Sequence, residues 1–531
     1  MSLPTVPLHE QPEIHSRRWF LLGIMCLSVV LVVMAVSGLN VAIPSMQEGL
    51  GATATDLQWI IDSYAIIFAG LLLSAGAIGD RFGRKRALQY GLVLFGAGSI
   101  VGTVADSVEL VIVARLIMGV GAAFSMPATL SMISAVFPPE ERSKAIAVWA
   151  GFAGAGGALG PLVVGFLLTD WWVFPSYWWG AAFLVNVVTV PLVLIAVSIW
   201  APRSRDDDAT PLDPVGAVLS LIGLAALLYS IIEGPVKGWT SPEVLIGFAV
   251  AIVGLGGFVS WERRTRHPML PMQFFGDVRF SLGSGVITFA FFVMFGFFFL
   301  MTQFLQFVRW YSPLDAGVAT LPLAFALVLV SPRSAALAAR FGTTTVITIG
   351  FAFIVAGFAV MATVDSSTSY LVIALSLMLL GVGMGVTTAP ATGSIMSAVP
   401  LNKAGVGSAV NDTTREVGGA LGIAVLGSIA NSVYRSEIRT DSLSQLPPEA
   451  ADAAGESIGA ALGVAAQLPG DAAALLTSEA QAAFTDSFSA ALWSSAVVAA
   501  IIGVVVFAVG RTFDRRAGEP TPSAPPADIP A

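Results

Sequence analysis

Fourteen apolar runs set the pattern of this chain: 19–40, 55–78, 87–105, 108–132, 144–168, 179–200, 213–232, 243–261, 281–306, 315–331, 343–362, 370–396, 405–428 and 488–510. Each is ~20 residues long, the length of helix that crosses a hydrocarbon core of ~30 Å. The pattern therefore predicts an all-α membrane protein with fourteen spanning helices. The polar gaps carry the second half of the signal. Taken together, the stretch before the first run, every even-numbered gap and the stretch after the last hold 20 of the 26 Lys and Arg residues. The odd gaps hold four (Lys237, Arg309, Arg435, Arg439), and Arg115 and Arg415 lie inside runs. By the positive-inside rule both termini are expected in the cytoplasm. Arg17 and Arg18 before the first run resemble the start of a signal peptide, but the run continues toward Pro44 without a small-residue cleavage pattern. A retained first helix is expected.

Composition agrees with this reading. Hydrophobic residues make up 56% of the chain and charged residues 11%, against ~25% charged in soluble domains. The net charge of −8 says little about partners, because much of the acid sits in 431–487 and in Asp206, Asp207 and Asp208. Cys26 is the only cysteine, which excludes an intrachain disulfide and a Cys-based metal site. No Gly-x-x-x-x-Gly-Lys-[Ser/Thr] loop, His-Glu-x-x-His string or nucleophile elbow occurs, so neither ATP hydrolysis nor another enzyme activity is expected, and no metal, cofactor or nucleic-acid partner is implied.

The chain also repeats itself. Gly119-Val120-Gly121, Pro127-Ala128-Thr129 and Ser134-Ala135-Val136 return as Gly381-Val382-Gly383, Pro390-Ala391-Thr392 and Ser397-Ala398-Val399. Gly156-Gly157-Ala158-Leu159-Gly160 returns as Gly418-Gly419-Ala420-Leu421-Gly422, and Arg81-Phe82-Gly83 as Arg340-Phe341-Gly342. Segments 2, 4 and 5 thus match 10, 12 and 13, which predicts two six-helix bundles flanking an extra pair, with a transport site at the repeat interface. The expected organisation is a tail 1–18, a bundle 19–200, a linker 201–212, an extra pair 213–262, a linker 263–280, a bundle 281–510 with an external loop 431–487, and a tail 511–531. Short amphipathic helices are weakly predicted in the loop, and disorder from Ala517.

Four constellations carry candidate chemistry. At the end of segment 2, Gly76-Ala77-Ile78-Gly79-Asp80-Arg81-Phe82-Gly83-Arg84-Lys85-Arg86 combines turn glycines with an acid and several cations. Asp80 and the arginines can form charge-assisted bonds at the end of a neighbouring helix and latch the bundles together. In segment 4, Arg115 precedes Gly119 and Gly121; a cation inside an apolar helix needs an acceptor or water, unless it snorkels to the external headgroups. Its repeat counterpart is Leu377, so the scaffold does not require it. Segment 5 carries Gly154, Gly156, Gly157, Gly160-Pro161 and Gly165, small residues and a proline that suit a rocking interface or simple close packing. Three acids lie inside runs: Asp62, within Trp59–Tyr64, and Asp412 and Glu416, whose i, i+4 spacing places both on one helix face. A carboxyl at low dielectric can bind and release a proton near neutral pH, or pair with a cationic substrate. The alternatives are an interfacial position for Asp62 and an internal ion pair of Asp412 and Glu416 with Arg415. Glu233 is expected at the external boundary.

The segment-2 string resembles the G-x-x-x-D-R-x-G-R-[RK] loop signature of the major facilitator superfamily. Arg115–Gly121 resembles the antiporter motif R-x-x-Q-G-x-G with Met118 in place of Gln, and segment 5 resembles the motif ending G-x-x-x-G-P-x-x-G-G with Val164 in place of one glycine. Together they resemble the fourteen-helix drug:proton antiporters of that superfamily, the EmrB/QacA type, over about 19–510. The resemblance implies a multi-pass cell-membrane protein, bacterial, that exports bulky, amphipathic, often cationic compounds in exchange for protons, with no cofactor beyond the proton gradient. It implies proton coupling at Asp62, Arg115, Asp412 and Glu416, gating at Gly76, Asp80, Arg81, Gly83 and Arg84, and the helix-5 motif at Gly156, Gly160, Pro161 and Gly165. The family's segment-1 signature resembles L-D-x-T-[IV]-V-N-V-A-L-P; here Asn40, Ala42 and Pro44 match, but Ala35 holds the position of the membrane aspartate. If coupling is retained, Asp62, Asp412 or Glu416 must carry it.

The suggested drug contacts are Trp59, Tyr64, Phe295, Phe299, Gln303, Asp412 and Glu416. Phe291, Phe292, Phe295, Phe298 and Phe299, with Met294 and Met301, crowd segment 9, and Gln303 and Gln306 follow. Such surfaces suit promiscuous apolar recognition, or else face lipid. Expected partners are small amphipathic substrates and membrane lipids, with no obligatory protein partner and a monomeric state. Export of a lipid, glycolipid or endogenous secondary metabolite is the alternative function. A non-transporting sensor is disfavoured by intact Asp80, Arg81 and Arg115.

Overall fold

The computed structural model describes residues 8–50, 52, 54–168, 179–204, 213–438 and 446–518. It is helical, with no strand among the described residues. The helices are α1 (Pro12–Leu50), α2 (Ala54–Phe82), α3 (Arg84–Val104), α4 (Val108–Val136), α5 (Pro139–Leu167), α6 (Ala181–Trp200), α7 (Pro214–Lys237) and α8 (Pro242–Glu262). They continue with α9 (Val278–Gln303), α10 (Pro313–Ala319 and Leu321–Phe341), α11 (Thr343–Met361), α12 (Tyr370–Ser397), α13 (Ala404–Glu437) and α14 (Gly470–Gly518). Thirteen are long and apolar enough to cross a membrane, or fourteen when the bent α5 is taken as one span. The bend in α5 is 41° and lies between Gly157 and Leu159. Pro161 explains it, since a proline has no N–H for the carbonyl four residues back, here Gly157, and its ring crowds that carbonyl.

Two cores divide the helices. One is built from α1 to α6 with Ala389, Met396 and Ala404 as visitors. The other is built from α9 to α14 with Leu73, Leu224 and Phe258. The extra hairpin α7–α8 packs through α7 on both α2 and α13.

The repeat is visible in atomic contacts. A Cβ on Gly160 of α5 would meet the Met34 carbonyl oxygen of α1 at 2.6 Å, and one on Gly38 would meet the Gly160 oxygen at 2.9 Å. In the second bundle, Gly422 of α13 lies against the Phe292 carbonyl, and a Cβ on Gly296 of α9 would meet the Gly422 oxygen at 2.7 Å. Only glycine lets these backbones touch. The polar contacts repeat too. Trp149 Nε1 donates to Thr129 Oγ1 at 3.0 Å, and Thr392 Oγ1 donates to Asn411 Oδ1 at 2.9 Å. Gly83 and Gly342, the paired turn glycines, both have positive φ, 110° and 84°, which side-chain-bearing residues rarely adopt.

Several expected boundaries move. The expected loop 431–487 shrinks, because α13 runs to Glu437 and α14 starts at Gly470. Between them, Pro448–Glu456 and Ile458–Ala465 are short helices, and Tyr434 Oη of α13 donates to the Ala454 carbonyl at 3.1 Å. Polar side chains lower hydropathy there without breaking the helices. For the same reason α1 begins within the expected tail, at Pro12, and α14 continues to Gly518, so the expected disorder from Ala517 begins inside a helix. The helical content of segment 10 splits at Thr320 and extends to Phe341. The Asp206–Asp208 part of the 201–212 linker, Arg439 and most of the C-terminal tail lie outside the described residues.

Candidate functional site: an inter-bundle latch and a buried charge cluster

Asp80 ends the apolar face of α2 and reaches across to the first turn of α13. The first N–H groups of a helix lack intrahelical partners and carry positive partial charge. Gly405 N donates to Asp80 Oδ1 at 3.0 Å and to Oδ2 at 2.8 Å, and Val406 N donates to Oδ2 at 3.3 Å. An acid of one bundle thereby caps a helix of the other. Arg84 Nε pairs with Asp80 Oδ1 at 3.2 Å, its Nη2 donates to the Leu401 carbonyl, and its Nη1 donates to Ser204 Oγ at 3.2 Å. Asp80 and Arg84 are both buried. The helices are in close contact beside them: a Cβ on Gly76 would meet the Gly405 oxygen at 2.5 Å. Arg81 lies over the ring of Phe82 at 5.6 Å. The space left between α2, α4 and α13 here does not admit even a water molecule. It is a packing gap.

The two bundles also meet at α4–α13, α5–α12 and α5–α10. The expected α5 motif divides by face. Gly156 and Gly160 pack on α1 within their own bundle, whereas Gly151 and Gly154 face Ser331 and Leu327 of α10, Leu162 and Pro161 meet Gly317, and Gly165 meets Leu314. Only the second set belongs to the inter-bundle seam, while Gly156 and Gly160 serve close packing within the bundle.

Inside the membrane-spanning region the charged residues gather in two groups. In the first bundle Arg115 is 1% exposed, so it does not snorkel. Its Nε donates to the Ile60 carbonyl at 3.0 Å, and its guanidinium lies 4.3 Å from the ring centre of Tyr64. Asp62 is buried and within electrostatic reach of Arg115. In the second bundle Asp412 is 1% exposed. Its Oδ1 accepts from Asn411 Nδ2 at 3.1 Å, while its Oδ2 has no hydrogen-bond partner among the described residues. Glu416, one turn on, is half-buried. Neither acid forms an ion pair with Arg415. The Arg415 guanidinium lies over the rings of Trp149 of α5 and Phe291 of α9, 5.0 Å from each ring centre. Counted at 1.5 Å per residue, Asp412 lies about 12 Å and Glu416 about 18 Å into α13, while Asp62 lies about 27 Å beyond Asp80 along α2. Tyr64 is within electrostatic reach of both Arg115 and Glu416, so it stands between the groups.

The remaining sequence candidates are scattered. Trp59 is part-exposed and rests on Tyr229 of α7 with ring centres 6.2 Å apart. Phe295 packs on Gly419 and on Phe291 at 5.4 Å. Phe299 is exposed, and Gln303 Nε2 donates to its carbonyl at 3.3 Å. Met294 and Met301 are buried in the bundle core. Ala35 is buried, and the side chains of Asn40 and Pro44 lie outside the described ones. Glu233 is buried and pairs with Lys237 at 3.4 Å. Sequence reasoning missed Trp149, Ser204, Leu401 and Gly405. Trp149 had one signal, a bulky aromatic in a Gly/Ala-rich segment at the repeat position of Asn411.

Comparison with known proteins places these features. The family model described as Major Facilitator Superfamily matches residues 25–423. The chain is 35% identical to the multidrug efflux pump LfrA of Mycolicibacterium smegmatis, over 94% of this chain and 97% of that protein. It is 33% identical to the methyl viologen resistance protein SmvA of Salmonella typhimurium, over 92% and 97%. Among solved structures, the human organic anion transporter MFSD10 superposes with a TM-score of 0.62 at 14% identity, over 94% of this chain and all of that one. That likeness concerns the fold alone. The family is one of transporters rather than enzymes.

Proposed function

The chain belongs to the Major Facilitator Superfamily, in its drug:proton antiporter family, and on that premise we propose how its parts serve the transport cycle. It is a multi-pass cell-membrane protein and a secondary active efflux transporter. It exports amphipathic, often cationic drugs or toxic compounds by alternating access, driven by the proton gradient with no cofactor. One chain supplies both bundles and is the working unit. The observation that carries this reading is the pair of buried charge groups, one in each bundle, at positions where the repeat holds none. Arg115 answers to Leu377, and Asp412, Arg415 and Glu416 answer to Ala150, Ala153 and Gly154. Burying charge among apolar helices is costly, so charge that the scaffold does not need is there for transport.

The test is direct. In inverted membrane vesicles, an acid-inside gradient should drive accumulation of a lipophilic cationic dye, and a protonophore should abolish it. Accumulation indifferent to the gradient would overturn proton-driven export.

The end carrying Arg81–Arg86 is the cytoplasmic side, and the latch closes it. The opposite end is bridged as well, by Gly165 against Leu314 and Leu162 against Gly317. In this orientation the short helices at 448–465 are external. An epitope inserted between Pro447 and Pro448 should be reached by antibody on intact cells. Labelling only after permeabilisation would reverse the orientation.

A further inference from the structure

Arg415 lies between Asp412 and Glu416 in sequence on α13 without forming an ion pair with either. Arg415 is buried, its Nε has no hydrogen-bond partner among the described residues, and its guanidinium lies over two rings, 5.0 Å from each centre. The rings come from opposite bundles. Trp149 is fixed in place by its bond to Thr129, and Phe291 by its edge contact with Phe295. Two rings within cation–π range of one flat cation form a cation–π clamp. The clamp lies beside Asp412, whose Oδ2 is unpartnered, and beside Glu416.

We propose that Arg415 is a specificity-determining residue: a tethered cation that fills one aromatic cation position beside Asp412 and Glu416 and so limits the positive charge a substrate can bring. With both acids ionised the trio carries a net charge of −1, as two carboxylates and one guanidinium. A monocation balances it. A dication leaves one positive charge uncompensated at low dielectric, where charge imbalance weighs far more than in water. Removing the guanidinium leaves −2 and vacates the clamp, which then fits a second cationic ring. The repeat gives the independent argument. Ala153 stands at the corresponding position of α5, so packing of the fold does not call for an arginine there.

The inference rests on export of cationic amphipaths, and the experiment separates the two. Initial rates of gradient-driven uptake into proteoliposomes are measured for N-methyl-4-phenylpyridinium, a monocation, and methyl viologen, a dication of similar frame. Arg415→Gln should raise the dication-to-monocation ratio by about tenfold or more. Arg415→Lys keeps the charge and should hold the ratio near the wild-type value. Asp412→Asn, which takes the trio to zero, should lower the ratio, and it serves as the test if Arg415→Gln does not insert. A wild-type protein that moves neither cation overturns the export reading and this inference with it. A wild-type protein that moves the monocation, with the same ratio in Arg415→Gln or, failing that, in Asp412→Asn, overturns the inference alone. A purely structural Arg415 would lower both rates together.

Discussion

Asp80→Asn should cut proton-driven export by about a hundredfold while the protein inserts and accumulates normally. The variant removes charge from a carboxylate that accepts three backbone N–H contacts from α13 and pairs with Arg84. An asparagine oxygen can still accept from the helix terminus, so the geometry survives in part. Arg84 is left as a buried cation without its anion, a loss of about 3 kcal/mol or more in comparable pairs. That cost falls only on the conformation in which α2 and α13 meet. A free-energy change of this size moves a two-state balance by roughly a hundredfold, so the transporter is held open at the latched end and cycles poorly. The population shift has its own readout. In a Cys26→Ser background, a cysteine at Ser131, buried at this seam, should react with a membrane-impermeant thiol reagent from the cytoplasmic side faster in Asp80→Asn than in the parent. Unchanged transport in Asp80→Asn would sink the gating role of the latch.

The sequence made the helices, the repeat and the latch acid legible for one physical reason: each is local. Apolar run length, the side on which Lys and Arg fall, and a glycine that must take positive φ are set within a few residues. The partners of Arg415 are not local. Its neighbours in sequence are Asp412 and Glu416, which suggested an internal ion pair, but one of its rings comes from Trp149, in the other bundle. Ser204, Leu401 and Gly405 were invisible as latch partners on the same ground, since nothing in their types marks them. The two faces of α5 were within reach. Gly156 and Gly160 are one turn apart, and Gly154 and Gly165 are three turns apart, so helical period alone separates them into different stripes. Reading the motif as one string hid that. Loop 431–487 was overestimated because hydropathy reports the membrane, and a helix that continues into water loses its apolar signal without losing its hydrogen bonds.

The charge groups lead to the largest functional separation. Asp62→Asn should abolish uphill transport of neutral and cationic substrates alike, whereas Asp412→Asn or Glu416→Gln should spare the neutral ones. A coupling group must lose and regain a proton in every cycle, whatever the cargo. Asp62 meets the requirement best: it lies about 27 Å along α2 from the latched end, within electrostatic reach of Arg115, which is anchored by the Ile60 carbonyl and the Tyr64 ring. A fixed cation near a carboxyl stabilises the carboxylate left behind when the proton is released. Ala35 cannot titrate, so no acid at that position of α1 competes for the role. Asp412 and Glu416 belong to the other bundle and begin about 12 Å from the latched end, where a cation arriving from the cytoplasm would first meet them. A carboxylate used only to bind a cation is irrelevant to a neutral cargo. The measurement is gradient-driven transport of one neutral and one monocationic dye by each variant in vesicles, at matched protein amounts. Full coupled transport in Asp62→Asn would refute its assignment, and equal loss of both dyes in the α13 variants would place Asp412 or Glu416 on the proton path instead.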